Sequence, residues 1–139
     1  NSHGVIQAEK KAGIHDMIMK LPQAYDTMLG NYFEGGEQLS IGEWQKIAIA
    51  RAFYKDSNFV VLDEPTSAMD IHTEKEIVAN LKELASTKTS LIISHRFSTI
   101  EWVDIIYVMQ NGTIVESGSH AELLSKKGLY FSMYEKAQN

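Results

Sequence analysis

The sequence predicts an α/β fold in which a parallel-strand core follows a helical region and is followed by a β-hairpin and two short helices. Three observations carry this. Phe59–Leu62 and Leu91–Ile93 are short and apolar without alternation, and strands apolar on both faces belong in a parallel sheet covered on both sides. Between them Ile77, Val78, Leu81, Leu84 and Ala85 recur at helical spacing, so strand, helix and strand form a βαβ unit, which should be right-handed. Asn111-Gly112 stands between Ile105–Met109 and Thr113–Glu116, and that dipeptide is the strongest short hairpin signal.

Taken in order, residues 1–55 read as mostly helical. Val5, Ala8 and Ala12 share one helical face, and Ile14, Ile18 and Leu21 continue the pattern beyond Gly13. Pro22 should stop that helix. Glu34-Gly35-Gly36-Glu37 is a turn, and a strong helix runs from about Ile41 to Tyr54. Residues 56–118 hold the strands, with Asp70 as the N-cap of the crossover helix. Residues 119–139 hold two short helices joined at Gly128, the first opened by Ser119 and Glu122 as a capping box. The three regions belong to one domain.

Composition narrows the chemistry. The 139 residues carry a net charge of -5, which argues against nucleic acid as a partner. Cysteine is absent, so disulfides, thiolate metal sites and Cys nucleophiles are excluded. The five histidines are scattered without metal-ligand spacing, and no apolar run is long enough to span a membrane.

Four segments are candidates for chemistry. The strand at Phe59–Leu62 ends in Asp63-Glu64, and open parallel sheets bind ligands at the carboxyl ends of their strands. An Asp there can hold Mg²⁺ through water, and an adjacent Glu can take a proton from an attacking water; two solvated carboxylates are the plain alternative. Leu39-Ser40-Ile41-Gly42-Glu43 leads into a helix. Ser40 and Glu43 form a capping box, and the same residues at a helix N-terminus also suit a phosphate. Both uses can hold at once. His95 follows the second strand, at the carboxyl edge that would also hold Glu64 if the two strands are close neighbours. Ser67-Ala68-Met69-Asp70 reads as a turn ending in a helix cap.

In order and spacing these segments resemble the nucleotide-binding domain of ABC transporters, a P-loop NTPase fold. Leu39-Ser40-Ile41-Gly42-Glu43 is similar to the family's signature motif, usually L-S-G-G-Q, and Ile47-Ala48-Ile49-Ala50-Arg51-Ala52 to the helix after it. Phe59 to Glu64 resembles Walker B with its catalytic Glu, Ser67 to Asp70 the D-loop, and His95 the switch histidine. Residues 21–27 and 111–124 resemble the exporter branch, in which the motor is often fused to a membrane domain.

The resemblance implies an ATP-hydrolysing transporter motor at the cytoplasmic face of the membrane, with ATP and Mg²⁺ as ligands. Asp63 would help hold Mg²⁺ through water, Glu64 would polarise the attacking water, and His95 would contact the γ-phosphate. Leu39, Ser40, Ile41, Gly42 and Glu43 would meet the ATP of an opposite subunit, since these motors work as head-to-tail dimers, and Asp70 would communicate across the dimer. The implied partners are a second nucleotide-binding domain and a transmembrane transporter domain.

Two departures matter. Ile41 replaces the first Gly of the signature, Glu43 replaces Gln, and Trp44 stands where Arg is usual, so a tuned site is expected. None of the nine glycines is followed by Lys, so the G-x-x-x-x-G-K-[ST] phosphate loop is absent. The chain therefore reads as the C-terminal part of such a domain, inactive alone. Its strands at 59–62 and 91–93 should be partly uncovered and promote self-association. Two rival readings are a non-transport ABC ATPase, and a non-catalytic module lending Ser40 and Gly42 to another ATPase.

Overall fold

A computed structural model describes residues 2–31 and 35–138 of the chain. Helices α1 (Ser2–Lys11) and α2 (His15–Ile18) and a single 3-10 turn (Ala24–Asp26) precede α3 (Ile41–Tyr54). Then follow β1 (Phe59–Asp63), α4 (Ile71–Ser86), β2 (Thr89–Ile93) and α5 (Phe97–Ile100). The hairpin β3 (Ile106–Gln110) and β4 (Thr113–Gly118) leads to α6 (His120–Lys126) and α7 (Leu129–Gln138). The chain divides into two compact units, one up to Leu91 and one from Ile92.

The core of the first unit comes from the stripes seen in the sequence. Ala8, Ala12, Ile14 and Ile18 are buried, as are Ile49 and Ala50 of α3 and Ile77, Val78, Leu81 and Leu84 of α4. Gly13 takes a left-handed φ of +66° between α1 and α2. Asn80 Nδ2 donates to the Lys11 carbonyl at 2.6 Å, tying α4 to the end of α1.

The second helix is shorter than its periodicity suggested. α2 ends at Ile18, and the amides of Lys20 and Leu21 bond back three residues, to Met17 and Ile18. The residue before a proline is pushed out of the α region, so the last turn tightens ahead of Pro22. Of the expected turn at 34–37, Glu34 lies outside the described residues. Glu37 is held by its amide on the Met28 carbonyl and by its own carbonyl accepting from Gly30, both at 2.9 Å.

β1 and β2 are hydrogen-bonded neighbours in a two-stranded sheet, and Thr89 N donates to Asn58 O at 2.9 Å as the chain enters β2. Leu62 of β1 is buried, yet Phe59 and Val61 are 53% and 52% exposed, and Leu91 of β2 is 49% exposed. The two strands are thus partly uncovered among the described residues, as expected for a chain that lacks the phosphate-loop segment. One side of each strand packs and the other faces outward, because alternate strand residues point to opposite faces.

In the second unit β3 and β4 pair antiparallel, from Ile106↔Gly118 to Gln110↔Thr113, with a bulge at Val108/Met109. Asn111 and Gly112 have φ of 51° and 78°, as a type I′ turn requires. Ile106 and Val108 pack with Leu123 and Tyr130, and Phe97 lies against this cluster. Phe97 meets Tyr130 and Tyr134 edge to face, the preferred arrangement of ring quadrupoles. The Glu116 carboxylate accepts from the amides of Leu129 and Tyr130, both at 2.9 Å, and so caps α7. Among the described residues no helix is long and apolar enough to cross a membrane.

Candidate functional site

β1 delivers Asp63 and Glu64 to its carboxyl end. Asp63 is exposed and Glu64 half-buried. Glu64 has a left-handed φ of +46°, a conformation that costs a non-glycine residue about 1–3 kcal/mol and persists only under outside restraint. The turn that follows is one such restraint. Pro65 and Thr66 are buried, Ser67 N donates to Glu64 O at 3.2 Å, and Met69 N donates to Thr66 O at 3.0 Å.

The second restraint comes from α3. Gln45 Nε2 donates to the Glu64 carbonyl at 2.9 Å and to Ser67 Oγ at 2.7 Å, while Gln45 Oε1 accepts from Ala68 N at 3.1 Å. Gly42, three residues earlier, sits on the same helical face. A Cβ placed on it would lie 3.1 Å from the Ala68 carbonyl oxygen, tighter than ordinary contact. Glycine here lets the first turn of α3 lie against the turn after Glu64.

At the tip of α3 the capping box forms as the sequence indicates. Ser40 N and Oγ both donate to Glu43 Oε2 at 2.8 Å, and Glu43 N donates to Ser40 Oγ at 3.3 Å. Leu39 is buried beneath the tip and Ile41 is 77% exposed on it. The first amides of a helix lack intrahelical acceptors and favour an anion, so the tip is chemically suited to phosphate while Ser40 caps it.

Asp70 caps α4. Its Oδ1 accepts from the amides of His72 and Thr73 at 3.0 and 3.1 Å, and Oδ2 from Thr73 Oγ1 at 2.6 Å. The Thr73 hydroxyl, with the amides of Thr73 and His72, lowers the carboxyl pKa to about 2. His95 belongs to the second unit, exposed just beyond β2, next to Arg96, whose amide donates to Ser94 Oγ at 3.1 Å.

The structure thus joins Gly42 to the turn after Glu64 within the first unit, and it joins them through Gln45, a residue the sequence reading passed over. One signal pointed to it: a polar side chain on the same helical face as a close-approach glycine. Among the described residues no cluster of three His, Cys, Asp or Glu side chains could hold a metal alone. Asp63 offers one exposed carboxylate, and a hard cation such as Mg²⁺ bound by a single carboxylate would keep much of its water. The exposed carboxylate of Asp63 fits such a role.

The turn that follows the strand-end carboxylates thus rests against the first turns of a capped helix, an arrangement at the carboxyl end of a strand where open α/β sheets bind ligands. Residues 2–67 match the profile of the ABC transporter family. The ATP-dependent lipid A-core flippase of Saccharophagus degradans is 50% identical over 127 residues, covering 91% of this chain and 21% of that protein. A Staphylococcus aureus protein described as a multidrug export ATP-binding/permease protein is 46% identical over 130 residues, covering 94% of this chain and 22% of that one. A solved bacterial Atm1-family ABC exporter with ATP bound matches with a TM-score of 0.86 and 41% identity, over 100% of this chain and 24% of that chain. The chain belongs to the ABC transporter family and has the ABC ATPase fold. It spans about a fifth of the length of the curated relatives it matches.

Proposed function

We propose that this chain is part of the ATP-hydrolysing motor domain of an ABC exporter, carried at the cytoplasmic face of a membrane by a transmembrane domain. Asp63 helps hold Mg²⁺ through water. Glu64 polarises the attacking water, and His95 contacts the γ-phosphate. Leu39, Ser40, Ile41, Gly42 and Glu43 form the tip that meets ATP held by a second nucleotide-binding domain in a head-to-tail dimer, and Asp70 signals across that dimer. Mg²⁺, when bound, would offset the phosphate charge.

The observation that supports this best is the restraint on Glu64. A carboxylate at a strand end is kept in a costly backbone conformation by a turn and by a helix whose tip suits phosphate. Strain maintained at such a place is characteristic of catalytic positions. The phosphate loop that would cradle the same nucleotide is not among these 139 residues, so the chain by itself does not turn over ATP.

The test is Glu64→Gln in the whole transporter that contains this segment. ATP turnover should fall by about a hundredfold or more while ATP binding persists, as expected for loss of a general base. Unchanged turnover would remove Glu64 from catalysis. It would favour the second reading, a module that lends Ser40 and Gly42 to another ATPase.

A further inference from the structure

We infer that Gln45 is a positioning residue that locks Glu64 to the helix bearing Ser40 and Gly42, so that a ligand at the helix tip biases the hydrolytic carboxylate of the same chain; this rests on the reading of Glu64 and of the tip given above. A primary amide carries two N–H donors and one acceptor oxygen. Gln45 directs both donors at oxygens, the Glu64 carbonyl at 2.9 Å and Ser67 Oγ at 2.7 Å, and its oxygen at the Ala68 amide, 3.1 Å away. The reverse orientation would set an oxygen against the Glu64 carbonyl, so the network determines which way the amide points.

Three properties turn this contact into a coupling. Glu64 is held at a φ of +46°, and a strained residue relaxes when a restraint is lost. The Gln45 bond to its carbonyl is a restraint from outside the turn. Gly42 lies against the Ala68 carbonyl, where a Cβ would sit 3.1 Å from its oxygen, tighter than ordinary contact, so a shift of the first turn of α3 is passed to the same backbone. Movement of the tip around an anion thus pulls on Glu64 through one side chain, within one chain and without crossing a subunit boundary. The plainer role, satisfying polar groups of a loop, would affect stability and leave the chemical step alone.

Gln45→Met removes all three bonds at nearly constant side-chain length. Gln45→Glu keeps the acceptor for Ala68 but sets an anion against the Glu64 carbonyl. In the whole transporter at saturating Mg-ATP, each variant should lower kcat by about tenfold or more, the scale of loss from a slightly misplaced catalytic group. KM for ATP should stay within about twofold, since uniform binding is untouched, and the melting temperature should move little. Amide exchange at Ala68 should quicken in Gln45→Met while the middle of α3 stays protected. Wild-type kcat in a Gln45→Met protein whose Ala68 amide exchanges faster overturns the inference. A kcat that falls only in step with the folded fraction, or failure of both variants to fold, also overturns it, by assigning Gln45 to stability alone. Glu64→Gln is measured alongside. If that protein still hydrolyses ATP, the catalytic reading fails; if it is inactive beside a fully active Gln45→Met, only the coupling fails.

Discussion

Asp70 shows what one capping side chain contributes. Its exposed carboxylate caps α4 with three hydrogen bonds. The Thr73 hydroxyl and the two capping amides stabilise the charged form and lower the pKa from 3.8 to about 2. A depressed carboxyl pKa gives stability that is present above the unfolded value and is lost as pH falls through the folded one. The cap is therefore complete at neutral pH and is lost between pH 3.8 and about 2. Asp70→Ala should lower the melting temperature by a few degrees at pH 7 and make little difference at pH 2. An equal shift at both values would show that the carboxylate charge is not what holds α4. The cap was readable from Asp70 preceding an apolar-periodic run. The positive φ of Glu64 was not, because a glutamate carries no local preference for the left-handed region.

Elements repeat this contrast. Both capping boxes, Ser40 with Glu43 and Ser119 with Glu122, form as the S-x-x-E spacing indicates. Spacing cannot separate them, since the same short-range bonds build each. What distinguishes α3 is its neighbour: its first turn rests on the Ala68 carbonyl, whereas α6 opens directly after a hairpin strand. Gly128 likewise looked like a simple helix joint. In the fold a Cβ there would overlap Glu116 Oε1, part of the carboxylate that caps α7. Gly128→Ala should displace Glu116 and leave the Leu129 and Tyr130 amides without their acceptor, at a cost of about 1–3 kcal/mol. Urea denaturation followed by far-UV circular dichroism measures this, and an unchanged midpoint would mean that α7 does not depend on Glu116.

For the whole molecule the decisive surface is the outward side of β1, where Phe59 and Val61 stand exposed beside Leu91 of β2. Exposed apolar strands promote self-association. The 139-residue chain should therefore sediment as dimers or larger species, and a compact monomer at high concentration would count against this. Titrated with Mg-ATP in a calorimeter, the same chain should show no binding, because the Lys and backbone amides of a phosphate loop supply much of the attraction. Micromolar affinity, worth about 8 kcal/mol, would reveal a phosphate cradle elsewhere in these residues.

The sequence by itself determined what depends on near neighbours along the chain. Helical stripes, caps and the Asn-Gly turn arise from interactions within a few residues, and the order and spacing of the short motifs, also legible along the chain, were enough to place it in its family. Tertiary structure decided which distant groups meet. Gln45 reaches the Glu64 carbonyl across 19 positions, and Glu116 reaches α7 across 13. A hydrogen bond between groups so far apart depends on how helices and strands pack. Packing is set by the summed burial of many side chains, so no local pattern records it.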